Sequence, residues 1–328
     1  MKVKTLIVLF LLISALIDAQ EPCRMVKISD FPKQDLPPKG FKRNSYKVKE
    51  SYKYYYGIDV HVDYKLARYM AFREMKDTTV DYEFNGPVIL LMLYANGFGV
   101  KQDIQLSMRL ACGNVGGSIA EVKYRQQHLQ DMLDGKVGGV FDICDDITSG
   151  LMDGLCAELN YEKAAFKRDL KMDSILKNWP VKDTVAYSKL SAAADNFFQL
   201  RSGDEVDESG TSRVAMEMEE QDSLEKNFLD KIEKADKCNF PNYSNDDFIK
   251  ADKELNLVYR KIMNCKTFEW GTVTQEQIKS VEIKWIKYRD AWVDFGKIRC
   301  PEITEDSWKT LLTRERISQL KEFLIGQK

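Results

Sequence analysis

Apolar positions in this chain recur at intervals of three and four residues, and no stretch of useful length alternates apolar with polar side chains. That periodicity predicts an all-α protein, because a helix repeats every 3.6 residues and a strand every two. It is cleanest near the C-terminus. Phe248, Ala251, Leu255, Val258 and Ile262 step by three and four, and so do Ile278, Val281, Trp285, Tyr288, Trp292 and Phe295. Two such seams separated by Gly271 predict an antiparallel helical hairpin or small bundle, with Thr274 and Gln277 as a capping box for the second helix. A third helix is expected through Ile317, Leu320 and Leu324.

Upstream the pattern stays helical. Ile143, Ile147, Leu151 and Leu155 recur every four residues, another helix is expected from Asp183 to Leu200, and a charged one from Val214 to Lys237. The intervening Arg201 to Arg213 is rich in Gly, Ser and acids and reads as an exposed loop. Nearer the N-terminus the chain repeats itself: Gly57, Val60, Asp63 and Ala67 stand 40 residues before Gly97, Val100, Asp103 and Ser107. A period of that size suggests stacked helical hairpins. In the second copy the glycines allow a positive-φ turn after the apolar run Leu90 to Tyr94, and Asp103 can cap the helix that follows. The set Leu90, Tyr94, Gly97, Gly99, Val100 and Asp103 is similar to the turn of Sel-one-like repeats, relatives of tetratricopeptide repeats.

Residues 1–19 combine Lys2 and Lys4, an apolar run from Leu6 to Ile17, and Ala19, the layout of a secretory signal peptide. The run is too short to span a bilayer, which needs about 20 apolar residues, so a periplasmic or secreted protein without a membrane span is expected. The resulting division is a signal peptide over 1–19, an extended lead-in over 20–56, a helical repeat domain over 57–200, an acidic linker and helix over 201–237, and a helical domain over 238–328. A net charge of -2 argues against nucleic acid as a partner. The chain holds only two histidines and lacks nucleophile-elbow, phosphate-loop, dinucleotide and zinc-protease motifs, so catalysis, a cofactor and a bound metal are not expected.

The C-terminal seams carry an ordered set of polar and aromatic residues. Asp252, Glu254, Leu255 and Asn256 come first, then Trp285, Tyr288, Arg289 and Asp290, then Thr313 and Arg316. Their order and spacing resemble the LprI-type lysozyme inhibitors, a secreted bacterial family with the patterns Asp-x-Glu-Leu-Asn, Trp-x-x-Tyr-Arg-Asp and Leu-Thr-x-x-Arg. The resemblance implies an exported helical protein that binds and sterically blocks a muramidase, with a c-type lysozyme as the candidate partner. The alternative is a periplasmic scaffold that binds another exported protein through its helical repeats. Trp285, Tyr288 and Trp292 read as core aromatics, whereas Asn256, Glu254, Arg289 and Arg314 are expected to link the two hairpin helices.

The family commonly places cysteines just after the Tyr-Arg-Asp segment and just before Leu-Thr, where this chain has Trp292 and Trp308. The cross-link is therefore expected elsewhere. Cys238 precedes the first hairpin helix and Cys300 ends the second, so antiparallel packing would bring both to one end, with Cys265 at the other. Cys144 and Cys156 could pair only if Gly150 or Gly154 bends the chain, and Cys112 with either is the rival arrangement. Seven cysteines leave at least one outside any intramolecular pair. The sharpest charge asymmetry lies in 201–236, with twelve acids against five bases. Glu217, Glu219, Glu220 and Asp222 are the candidate contacts for a cationic partner.

Overall fold

The computed structural model describes residues 25–77, 79–80, 83–113 and 118–325; the expected signal peptide and Cys23 lie outside them. Among the described residues the fold is all-α, with eleven α-helices and no strand, and no helix is long and apolar enough to cross a membrane. The chain divides into two compact units, Met1–Thr148 and Ser149–Lys328.

The first unit holds α1 (Ser51–Tyr56), α2 (Tyr64–Glu74), α3 (Gly86–Asn96), α4 (Ile104–Gly113) and α5 (Ile119–Leu133). Each helix packs on the next. The 40-residue period is written into the backbone. Gly57 and Gly97 end α1 and α3 in the left-handed region, at φ 71° and 70°. Asp63 and Asp103 each return a backbone N–H, at 3.0 Å, to the carbonyl of Tyr54 and Tyr94 respectively. Their side chains then accept from the N–H of Leu66 at 2.9 Å and Leu106 at 2.8 Å, capping α2 and α4. Asp59 and Gly99 occupy matching positive-φ positions. At Gly99 a Cβ would meet Tyr64 at 3.1 Å, so a side chain there would be crowded as well as strained in φ.

The expected helix through Ile143, Ile147, Leu151 and Leu155 is broken. Asp142 accepts from the Cys144 N–H at 3.0 Å and starts a 3-10 turn over Ile143–Asp146. Ser149 caps a new helix, α6, over Gly150–Leu176. Two caps seven residues apart outcompete a spacing of four, because they satisfy orphan N–H groups that a continuous helix would use otherwise. Cys112, Cys144 and Cys156 are each disulfide-bonded.

The second unit adds α7 (Val181–Asp204), α8 (Arg213–Asp236), α9 (Asn245–Met263), α10 (Gln275–Arg299) and α11 (Glu305–Glu322) to α6. Thr274 and Gln277 form the capping box of α10. The packing order differs from the simple hairpin. α9 and α10 follow one another, but α9 lies on α11 and α10 lies on α7, while α6 lies on α8. Aromatic area decides this choice, since each buried ring removes far more surface from water than an aliphatic seam residue. Tyr288 stacks on Phe197 of α7 at 5.2 Å and meets Phe198 edge-on at 5.5 Å. Trp292 meets Phe228 of α8 at 5.7 Å and stacks on Trp308 of α11 at 5.5 Å with an 18° interplanar angle.

Trp308 reaches that position over Gly296, where any Cβ would lie 2.2 Å from its ring nitrogen. At the far end of α10, Cys300 is bonded to Cys238 just beyond α8, closing a separation of 62 residues. Arg299 beside it bonds Asp183 at 2.9 Å and Asp236 at 3.0 Å and lies over the Trp179 ring. One short region thus ties the starts of α7 and the ends of α8 and α10 together.

Because α10 takes its aromatic partners from α7 and α8, a fragment of residues 238–328 is expected to lack a cooperative thermal transition by circular dichroism. A fragment of residues 149–328 should show one. Cooperative melting of the shorter fragment would show that the α7 and α8 contacts are dispensable.

Candidate functional site

Between α9 and α10 the two motif segments face each other across an open groove of about 280 Å³. Asp252, Leu255, Asn256 and Tyr259 form one wall; Lys279, Ile283, Ile286 and Arg289 form the other, with Glu282 and Trp285 at its base. The seam residues Leu255 and Trp285 are buried, at 6% and 2% exposure, whereas Ile283 and Ile286 remain 51% and 40% exposed. Branched aliphatic side chains left in water along a concave surface mark a place where burial would be favourable.

The polar groups on the walls are held locally. Asn256 donates from Nδ2 to the Asp252 carbonyl at 2.8 Å and to its carboxylate at 3.1 Å, and Arg260 donates to the Asn256 carbonyl at 3.0 Å. Arg289 forks onto its neighbour Asp290 through Nε at 3.0 Å and Nη2 at 2.9 Å, with its guanidinium 5.2 Å over the Trp285 ring. The expected link among Asn256, Glu254, Arg289 and Arg314 does not form. Glu254 pairs with Lys321 at 2.6 Å. Arg314 pairs with Asp247 at 3.6 Å and lies over Tyr243. With α9 and α10 held apart by their other packing partners, Asn256 and Arg289 reach only local partners, while Glu254 and Arg314 pair between α9 and α11.

The clasp that does exist lies beneath the groove and centres on Arg316. Its guanidinium is fully buried and donates to both oxygens of Glu205, at 2.7 and 2.6 Å, and through Nε to Glu282 at 2.8 Å. Burial alone would lower the Arg316 pKa, but the two carboxylates more than offset it and hold the group above its usual range. Burial raises the Glu282 pKa and Arg316 opposes that shift. Glu205, just past the end of α7, also lies 3.9 Å from Arg201, which pairs with Glu220 at 2.8 Å. Arg316 is thus a bidentate node joining α11, α10 and the end of α7.

Five motif residues therefore share one groove: Asp252, Leu255, Asn256, Trp285 and Arg289. Tyr288 points to the opposite side of α10 and, with Trp285 and Arg316, lines a second cavity of about 260 Å³ walled by Phe197 and Lys231. Thr313 is buried, and Glu254 and Asp290 stand in exposed pairs on the outer faces. Ile283, Ile286, Glu282 and Glu205 escape sequence reasoning. The isoleucines break no periodicity, and Glu205 sits in a stretch of many acids with no local mark of its burial.

The four acidic contact candidates divide. Glu220 is tied to Arg201 and Asp222 to Arg168 of α6. Glu217 is half-buried, its pKa raised by burial and by Glu208 beside it, and Glu219 is exposed. Arg168 also bonds Glu225 at 2.7 Å, so much of this acidity holds α8 to α6.

This groove lies inside a recognisable family segment. Residues 234–320 match the lysozyme inhibitor LprI family. The second unit therefore carries an LprI domain, covering about a quarter of the chain and containing every motif residue named above. No curated protein and no solved structure matches the chain. The family's description is of an inhibitor, which fits a helical protein-binding role rather than an enzyme. Glu205, the bidentate partner of Arg316, lies outside the LprI match, so the domain's buried arginine depends on the helices that precede it.

Replacing Arg316 with methionine leaves Glu205 and Glu282 buried without their cation. The expected cost is about 3–5 kcal/mol in urea unfolding, as for breaking other buried ion pairs. Replacing both glutamates with leucine in the same chain should return much of that loss. A single-variant cost below about 1 kcal/mol would mean water reaches the cluster.

Proposed function

We propose that this protein is an exported lysozyme-inhibitor-like protein that binds a muramidase and blocks its cleft sterically, without catalysis or cofactor. The observation that carries the reading is the coincidence of the LprI match with a groove built from that family's motif residues. Inhibition of this kind requires shape and exposed apolar area, not reactive groups. Ile283 and Ile286 supply the apolar rim, and the rings and carboxylates beneath them fix its shape. Rigid backing lowers the ordering cost of association.

Charge plays a separate part in the reading. Balanced groove charges, Asp252 and Glu282 against Lys279 and Arg289, favour register over long-range attraction. Glu219 and the unpaired remainder of the acidic segment would steer a basic partner such as a c-type lysozyme toward this unit. Export is supported by the disulfides, which persist in oxidising compartments.

In a peptidoglycan-lysis assay, the purified chain should inhibit a c-type lysozyme saturably. Ile283→Glu with Ile286→Glu should weaken that inhibition at least ~10-fold without changing the melting temperature, since an interface pocket lined by both would lose its apolar contact. Glu219→Gln should act mainly on the association rate at low salt. No inhibition at large molar excess would reject the muramidase reading and favour a scaffold role for residues 50–135.

A further inference from the structure

The first unit contains a concave surface of a different chemistry, independent of the LprI domain. From Lys39 to Lys49 the chain carries Lys39, Lys42, Arg43, Lys47 and Lys49 and no acid. This segment is not loose. The Phe41 ring is held against Tyr46 at 5.6 Å and Tyr69 of α2 at 5.5 Å. Arg73 of α2 donates through Nη2 to the Phe41 carbonyl at 2.6 Å and lies 6.0 Å from the Phe41 ring centroid. Arg43 starts a 3-10 turn that turns its side chain toward the end of α2.

The result is an open pocket of about 480 Å³ in which, among the described residues, Lys42, Arg43, Arg73 and Lys76 face one carboxylate, Asp77. Asp77 balances one of the four. Its Oδ1 accepts from the Thr79 N–H at 3.1 Å and the Thr79 hydroxyl at 2.6 Å, and its Oδ2 forms an ion pair with Arg43 Nη1 at 3.8 Å, longer than a hydrogen bond, so the cations remain in excess. Among the described residues, Arg43 Nη1 and Arg73 Nε are buried donors with no hydrogen-bond partner.

Cations near a helix C-terminus are ordinarily accounted for by the helix dipole, and Arg73 sits in the last turn of α2. The dipole does not explain guanidinium N–H groups withdrawn from water without a hydrogen bond, an arrangement that costs free energy until an acceptor arrives. Two guanidiniums, one of them already donating through Nη2 to the Phe41 carbonyl, flanked by two ammonium groups match an acceptor with several oxygens and more than one negative charge. A phosphate monoester carries about -1.5 to -2 at neutral pH with three acceptor oxygens, and arginine recognises it with two parallel hydrogen bonds.

We propose that the pocket of Lys42, Arg43, Arg73 and Lys76 is a binding site for a phosphate-bearing ligand, either a soluble phosphorylated molecule or the phosphomonoester headgroup of a lipid. Calorimetric titration of the full chain with pyrophosphate, and co-sedimentation with phosphatidylcholine vesicles containing phosphatidic acid, separate the two sources. Arg43→Gln with Lys76→Gln removes one fork and one flanking charge while leaving Arg73 on the Phe41 carbonyl. Lys33→Gln, an exposed lysine outside the pocket, reports on general charge alone.

The expected result is binding of at least one probe that falls ~10-fold or more in the double variant, the loss typical of a charged hydrogen-bonded contact, and is unchanged in Lys33→Gln. Pyrophosphate binding assigns a soluble ligand, and binding to vesicles only assigns a headgroup. If the double variant fails to fold, Lys42→Glu, an exposed position on the rim, should give the same loss. Absence of binding to both probes, or an equal loss in Lys33→Gln, would overturn the site.

Discussion

Arg316 constrains the second unit more than any other side chain. A guanidinium cannot shed its proton at physiological pH, so once it is buried it must find carboxylates or unfold the structure around it. It finds two, from segments 77 residues apart in sequence, Glu205 and Glu282. Satisfying all three groups fixes the distance between the end of α7 and the first third of α10 through the Arg316 side chain of α11. The aromatic layer of Tyr288, Phe197 and Phe198 then packs at the spacing that cluster sets. A buried ion cluster adds little net stability, but it tolerates few alternative arrangements, and here it fixes the register in which α10 lies against the helix its aromatic residues select.

The two tryptophans illustrate how one covalent solution can be exchanged for a packing one. Trp292 and Trp308 occupy positions where the LprI resemblance implies cysteines, and they stack face to face in the core. α10 and α11 are therefore still joined at this level, by two large rings instead of a cross-link. The stack demands room, and Gly296 provides it by leaving no Cβ under the Trp308 indole. The covalent tie has shifted toward the end of α10, to Cys238 and Cys300, where it reaches back to α8.

The helical class, the seams and the cap at Thr274 were legible because they depend on local spacing and on side chains a few residues apart. The 40-residue period was legible for the same reason, since Gly57, Asp63, Gly97 and Asp103 act on their own turns. Helix pairing was not. A seam states that a face is buried without stating against what, and the partner of α10 was decided by Phe197, Phe198 and Phe228, whose identity as neighbours is a tertiary fact. Asn256 and Arg289 were placed on opposite walls of one groove by the same process that denied them a direct bond. Their polar partners, Asp252 and Asp290, are sequence neighbours available to any exposed helix.

The groove is a direct consequence of that pairing. Had α9 and α10 closed on each other as a hairpin, Ile283 and Ile286 would lie between them and the motif would be buried. Because α9 is drawn to α11 and α10 to α7, the facing walls are left uncovered while the base behind them is held by the buried Arg316 cluster. The motif residues thereby serve two roles at different depths: Trp285 and Arg316 hold the base, and Asp252, Asn256 and Arg289 dress the walls. A binding surface backed in this way can present exposed aliphatic side chains without collapsing over them, which is the property a steric inhibitor requires.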